Sequence, residues 1–366
     1  MTPVRAASSS LTRVARRTIT RVLRGTGVLS LCRDSAWRQR RLLILCYHGI
    51  SLDDEHLWNP ELYVKPEHFE SRLRMIADGG YTVLPLDEAV QRLYADQLPP
   101  RSVTLTFDDG TYDFLAAALP ILKQYGFPAT VYLTTYYVGR RAPVFNTAVQ
   151  YVLWKSGRRL VDLFPITGAH DEADVSTRLG RWHILASLRR FANTHRLHGE
   201  QEDALVAALA TLVGVDYNQI LDSRLLQLLS PEEVGALASQ GVRFELHTHR
   251  HRTPSNRSLF LQEITDNRER LRALGVDQAR HFCYPSGVHR DEMLPWLSES
   301  GIRSATTTDP GMATVRSEPL LLPRLVDTSV MSSIEFEGWL SGISTFLLRK
   351  SLGNAILAPL RRANKP

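Results

Sequence analysis

The chain has 366 residues, 43% of them apolar and 22% charged, which suits one large soluble α/β domain with insertions or two small domains. Its net charge of +6 is unevenly spread: residues 1–41 carry +9, the stretch after Glu337 carries +5, and the residues between are left at −8. That acidic body argues against nucleic-acid binding, which needs positive charge on a folded face. Three scattered cysteines (Cys32, Cys46, Cys283) exclude a disulfide framework or a cysteine-based zinc site and fit a reducing compartment.

Arginines recur every few residues through Arg24, so no uninterrupted apolar segment of a secretory leader is present. No apolar run approaches the ~20 residues of a membrane span. Residues 1–41 read as a basic tail, disordered or amphipathic, and residues 331–366 as a basic amphipathic helix or tail. The expected location is cytoplasmic, with these ends able to contact an anionic membrane peripherally.

The folded part is expected from Leu42. Residues 42–47 have the length and apolarity of a buried strand and run into His48-Gly49. Residues 66–77 have helical apolar spacing, open on Pro66 and stop at Gly79-Gly80. A strand over 81–84 and a helix over 86–93 follow. Residues 102–107 are β-branched and aromatic and deliver Asp108-Asp109-Gly110. A helix over 112–125, a break at Gly126-Phe127-Pro128 and a strand over 129–134 continue the alternation. Residues 139–229 interrupt it with mostly helical spacing and read as an insertion. Ser230 as cap, Pro231 in the first turn and Glu233 at the third position open the next helix. Strands over 242–246, 281–284, 301–306 and 320–326 then alternate with helices over 259–274 and 291–300. Strand-then-helix order predicts a parallel sheet wrapped by helices over residues 42–330.

Three polar groups fall at the C-terminal ends of predicted strands: Asp108-Asp109, His247-Thr248-His249-Arg250-His251, and Pro285-Ser286-Gly287. In parallel sheets and barrels that edge carries the active site. Adjacent carboxylates repel, and a nearby cation relieves the conflict by taking one as ligand. His247 and His251 share a face if the chain turns helically there. One carboxylate and two imidazoles suit a divalent metal, zinc by ligand type, with cobalt or nickel also accommodated.

Thr106-Phe107-Asp108-Asp109-Gly110 and His247-Thr248-x-x-His251 resemble the first two motifs of the polysaccharide deacetylases, the NodB-homology group of carbohydrate esterases. Phe282-Cys283-Tyr284-Pro285-Ser286-Gly287 is similar to their third motif, and Tyr47-His48 resembles the early motif of circularly permuted members that deacetylate exopolysaccharides. The resemblance covers residues 42–330 outside the insertion. It implies a distorted (β/α) barrel of about seven strands and metal-dependent hydrolysis of N-acetyl groups on amino sugars, in a glycan or a lipid-linked precursor.

By position, the resemblance implies Asp109, His247 and His251 as metal ligands, Asp108 as general base and the Ser286 backbone N–H as an oxyanion donor, with Tyr284 and Pro285 at the substrate. A late histidine acid is missing, so His48 is the candidate to protonate the leaving amine. The third motif lacks its usual arginine. Arg324 is the candidate to orient Asp108, with Arg280 as fallback, and Asp309 is a candidate to tune the acid. His249 is expected to point away from the metal. Deformylation or O-deacetylation would use the same machinery, and an inactive glycan-binding or assembly protein is the alternative of a different class.

Overall fold

The computed structural model describes residues 17–352, with side chains through residue 347. The expectations for residues 1–16 and 353–366 lie outside the described residues. Eight parallel strands form the main sheet: β1 (Leu43–Tyr47), β2 (Thr82–Val83), β3 (Ser102–Phe107), β4 (Thr130–Leu133), β5 (Arg243–Leu246), β6 (His281–Cys283), β7 (Ser304–Thr306) and β8 (Leu325–Val326). The order β7-β6-β5-β4-β3-β1-β8 has β2 beside the start of β3, and a parallel bridge from Thr306 to Leu322 joins the two edges. The result is the expected distorted (β/α) barrel.

Side chains alternate across each strand, so each strand feeds two cores. Leu43, Leu45 and Tyr47 of β1 and Val103, Leu105 and Phe107 of β3 face the surrounding helices. Leu42 and Ile44 turn inward with Tyr132, Cys283 and Leu322. Leu86, Ala89, Val90 and Leu93 of the helix Leu86–Tyr94 join that inner cluster beside Leu42, at the N-terminal end of the strands. The barrel interior is otherwise polar: the Thr104 hydroxyl donates to the Leu84 carbonyl and the Thr106 hydroxyl to the Leu45 carbonyl, each at 2.8 Å.

Where helices were expected, they form. Ser230 and Glu233 make a reciprocal capping box at the helix Pro231–Ser239. The helix expected over 112–125 begins as a π-turn, Phe114–Ala118, before Leu119–Tyr125; Pro120 lacks an N–H and cannot complete a regular ladder there. The insertion packs around its own cluster, including Val149, Ile184, Leu188 and Leu209, and contains an antiparallel pair, Leu160–Asp162 with Glu172–Asp174. Strands of three residues carry too little alternation to be read from sequence.

Residues 17–41 depart from the tail expectation. Residues 17–25 and Val28–Asp34 are helical and dock on the barrel's flank. Arg17 and Arg24 are neutralised from afar, by Glu335 and Glu337, while Asp34 pairs with its neighbour Arg33 and with Arg101. Arg38 is fully buried and donates to the carbonyls of Leu340 (2.8 Å), Arg41 (2.7 Å) and Ser102 (3.2 Å). Burial pulls its pKa down to about 10, which leaves it charged at neutral pH. Beyond residue 330 the chain is core too, since Phe336, Trp339 and Leu340 belong to the main cluster.

After β1 the chain turns at Gly49, and Gly49–Ile50 pairs with Tyr63–Val64. A Cβ at Gly49 would meet the Tyr63 ring at 2.3 Å, so only glycine fits. Asp113 accepts the Ile50 N–H at 2.6 Å and pins this turn.

Two expectations concern stability. Arg38→Ala removes the donor to three carbonyls, two of these bonds being buried, and should cost about 3 kcal/mol in urea unfolding; a loss below about 1 kcal/mol would contradict the anchoring role. Burial pushes the Asp113 carboxyl up to about 7 from 3.8, so the folded state keeps a proton that the unfolded chain loses. Stability from this group is present below pH 3.8 and lost as pH rises through 7. Asp113→Asn, which keeps an acceptor for Ile50, should gain on wild type across that window by on the order of a few kcal/mol. A wild-type-to-variant difference that stays flat with pH would refute this.

Candidate metal centre and catalytic cleft

The inward side of each strand continues past its end. In β3 the inward series Thr104, Thr106 leads to Asp108; in β1 Ile44, Cys46 leads to His48; in β5 Glu245 leads to His247. β1 and β3 pair Cys46 with Thr106 and Tyr47 with Phe107, which brings His48 level with Asp108. Asp109 would alternate outward, but it adopts a left-handed conformation (φ 69°). Gly110 follows at φ 80°, and a Cβ there would meet Leu133 at 2.2 Å. Thr248 (φ 60°), His251 (φ 53°) and Ser286 (φ 56°) are also left-handed, so backbone strain collects at this rim.

Asp109 Oδ1 lies 3.4 Å from His247 Nε2 and 3.2 Å from His251 Nε2, and the three donor atoms fall within 4.8 Å of one another. Metal–ligand bonds of about 2.0–2.1 Å at tetrahedral angles separate ligand atoms by about 3.3 Å, so this triplet fits a divalent cation. His247 Nδ1 is 2.8 Å from the Cys283 carbonyl, a partner that directs the Nε2 lone pair into the gap. Burial opposes charge on Asp109, but His251 and His247 hold its carboxyl well below the usual range.

The histidine segment is not a helical turn, contrary to the spacing argument. It is an irregular loop fastened by the helix Arg257–Ala273. Asn267, fully buried, accepts the His247 N–H at 2.9 Å and donates to the Leu133 carbonyl and Thr135 hydroxyl. Glu263, one turn earlier, accepts the Arg250 N–H at 2.7 Å and the Arg252 guanidinium at 2.6 Å. Sequence reasoning missed both residues; their four-residue spacing on one helix face was the available signal.

Asp108 is buried and held by Arg324 through two parallel hydrogen bonds of 2.7 Å. Burial alone would raise the Asp108 carboxyl, but Arg324 outweighs it and holds the group ionised, far below the ordinary range. Cys46 and Cys283 flank the carboxylate, their Sγ atoms 3.5 and 3.4 Å from Oδ2. Sequence reasoning treated these cysteines only as markers of redox environment, although both occupy inward strand positions. Asp108 also falls in two possible donor triplets, with Cys46 and His48 and with His247 and Cys283. Both its oxygens already face a guanidinium, so a cation there would meet like charge.

His48 Nε2 is 3.8 Å from Asp108 Oδ2, and its Nδ1 is buried without a partner among the described residues. Ser286 is exposed on the turn after β6. Tyr284 and Pro285 are buried. Tyr284 follows the outward alternation of β6, packs against Phe282 and donates its hydroxyl to the Leu320 carbonyl at 3.1 Å. His249 turns away from the triplet to the Thr135 hydroxyl, 2.8 Å from Nδ1. Arg280 lies at the opposite end of β6, where its N–H reaches Glu245. Asp309 is exposed and meets Arg324 only through a backbone hydrogen bond.

The polysaccharide deacetylase family model matches residues 95–162 and 190–305. Over 112 residues the chain is 35% identical to YxkH of Bacillus subtilis (strain 168), a candidate polysaccharide deacetylase; the match covers 29% of this chain and spans only 38% of that relative. The deacetylase PplD of Streptococcus pyogenes, solved in complex with acetate, superposes with a TM-score of 0.53 at 21% identity, covering 82% of this chain and 97% of PplD. IcaB of Ammonifex degensii superposes with a TM-score of 0.52 at 16% identity, covering 83% of this chain and 98% of IcaB. At such identities the two structures speak for the fold alone, whereas the family match takes in half of the sequence. The chain belongs to the polysaccharide deacetylase family.

Proposed function

We propose that this protein is a metal-dependent hydrolase that removes N-acetyl groups from amino sugars of a polysaccharide, oligosaccharide or lipid-linked glycan precursor. The observation that carries this reading is the Asp109–His247–His251 triplet with Asp108 beside it, uncommitted to the triplet and fixed by Arg324. A divalent cation held by those three residues, zinc by donor type with cobalt or nickel also suited, supplies Lewis acidity to the acetyl carbonyl and to the attacking water.

The remaining work falls to the chain's own groups. Asp108, kept ionised, accepts the proton of the water as its oxygen attacks the acetyl carbon. The Ser286 N–H, on its exposed turn, donates to the developing oxyanion. His48 Nε2 faces Asp108 across 3.8 Å and delivers a proton to the leaving nitrogen as the C–N bond breaks. Acetate and a free amino sugar result. Pairing with Arg324 makes Asp108 a weak base in isolation, so transfer to it requires a water that is itself acidified.

The test measures acetate release from N-acetylated oligosaccharides and lipid-linked sugars, with metal content read by elemental analysis. Asp108→Asn should keep the metal and lose turnover by roughly three orders of magnitude or more. Retained turnover, or metal lost together with activity, would count against Asp108 as base. Arg324→Met strips the buried carboxylate of its partner and should lower kcat at least about a hundredfold with metal retained. Arg324→Lys should recover part of that, because a lysine restores charge without the fork; equal failure of both would mean that residue 324 serves packing alone.

A further inference from the structure

The helical layer of residues 17–41 is built inside out for a water-facing surface. In the helix over residues 17–25, Thr20 is buried at 2% exposure, whereas Ile19 and Val22 stand out at 43% and 60%. The next helix buries Leu29 and leaves Leu31 at 73% exposure. Phe346, from the C-terminal helix, packs at a tilt against Trp37 of this layer, ring centroids 4.5 Å apart, and remains 40% exposed. Single exposed apolar residues are ordinary, but a group of them on one docked layer, above a buried threonine, calls for a partner.

Charge identifies that partner. Arg21 and Arg40 are exposed and have no acidic partner among the described residues. The sequence leading into the layer adds Arg5, Arg13 and Arg16 with no acidic residue, and the sequence after residue 348 adds Arg349, Lys350, Arg361, Arg362 and Lys365. The helix over residues 17–25 and the helix Ser333–Ser341 belong to this one layer, since Arg17 and Arg24 reach Glu335 and Glu337. A second copy would set like charge against like charge. Aliphatic side chains interleaved with arginine match the boundary between headgroups and acyl chains of an anionic leaflet.

We propose that the layer formed by residues 17–41 and the C-terminal helices is a docking face for an anionic lipid bilayer, with Ile19, Val22 and Leu31 inserted among the headgroups and the arginines on lipid phosphates. The binding is peripheral: among the described residues no helix is long and apolar enough to cross a membrane. Residue 17 touches the Val330 carbonyl in the loop after β8, so the layer begins on the strand-end side that carries the candidate catalytic cleft.

The test is co-sedimentation of the full-length protein with vesicles of phosphatidylcholine, alone or mixed with phosphatidylglycerol. The protein should bind the mixed vesicles roughly tenfold more tightly than the neutral ones, and less so as salt is raised. The double variant Ile19→Asp/Val22→Asp, and separately Leu31→Asp, should each weaken that binding roughly tenfold while circular dichroism and Tm remain as in wild type. Leu57→Asp, an exposed apolar site elsewhere, should bind as wild type does. Indifference to phosphatidylglycerol, or full binding by both the folded double variant and Leu31→Asp, would overturn the proposal. A dimer in sedimentation velocity that the double variant dissolves, with vesicle binding unchanged, would instead assign the face to a second copy.

Discussion

The buried pair of Arg324 and Asp108 is the interaction on which the rest of the cleft depends. Withdrawing two charges from water is expensive, and such a pair persists only when its geometry and its other donors are satisfied. Here they are. Of the five guanidinium N–H groups, Nε donates to the Thr307 carbonyl, Nη1 to Asp108 and the Thr106 hydroxyl, and Nη2 to Asp108 and the Cys283 sulfur. The same contacts join the approach to β8 with β3, β6 and the end of β7. Closure of the barrel and ionisation of the candidate base are thus one physical event.

The insertion is bound to that event more closely than its separate core suggests. Where it rejoins the barrel, the Tyr112 N–H reaches the Gln227 carbonyl at 2.8 Å and the Leu229 N–H reaches the Gly110 carbonyl at 3.0 Å. Thr111 and Leu228 form an antiparallel bridge between them, and the Arg224 guanidinium lies 3.7 Å over the Tyr112 ring. The segment immediately following Asp108-Asp109 is therefore shaped from one side by the insertion. The left-handed turn at Asp109 and Gly110 is held in place by structure that the barrel alone does not supply.

Much of this arrangement was legible in the sequence because it is periodic. Ser102–Phe107 alternates and ends at two aspartates, so its parity alone aims Asp108 at the barrel axis. The same parity applied to β1 and β6 would have placed Cys46 and Cys283 beside Asp108, yet cysteine carries no polarity signal that draws attention to it. Asn267 and Glu263 were missed for another reason: polar residues on a helix look solvated until the loop they hold is seen. Tyr284 misled because it lies within a motif while its side chain follows the outward alternation. The docking of residues 17–41 was hidden because the partners of its arginines, Glu335 and Glu337, lie some three hundred positions away.

Arg324 follows Asp108 by 216 residues. During synthesis, strands β1 to β7 can emerge and pair while the aspartate at their centre still lacks its counter-charge. Until residue 324 has been made, that carboxylate lacks its partner, and burying it at the barrel axis is unfavourable. Contacts of such long range slow folding, but here they also impose an order of assembly. A chain halted before residue 324 would keep the sequence of Asp109, His247 and His251 without the group that makes the interior habitable for Asp108.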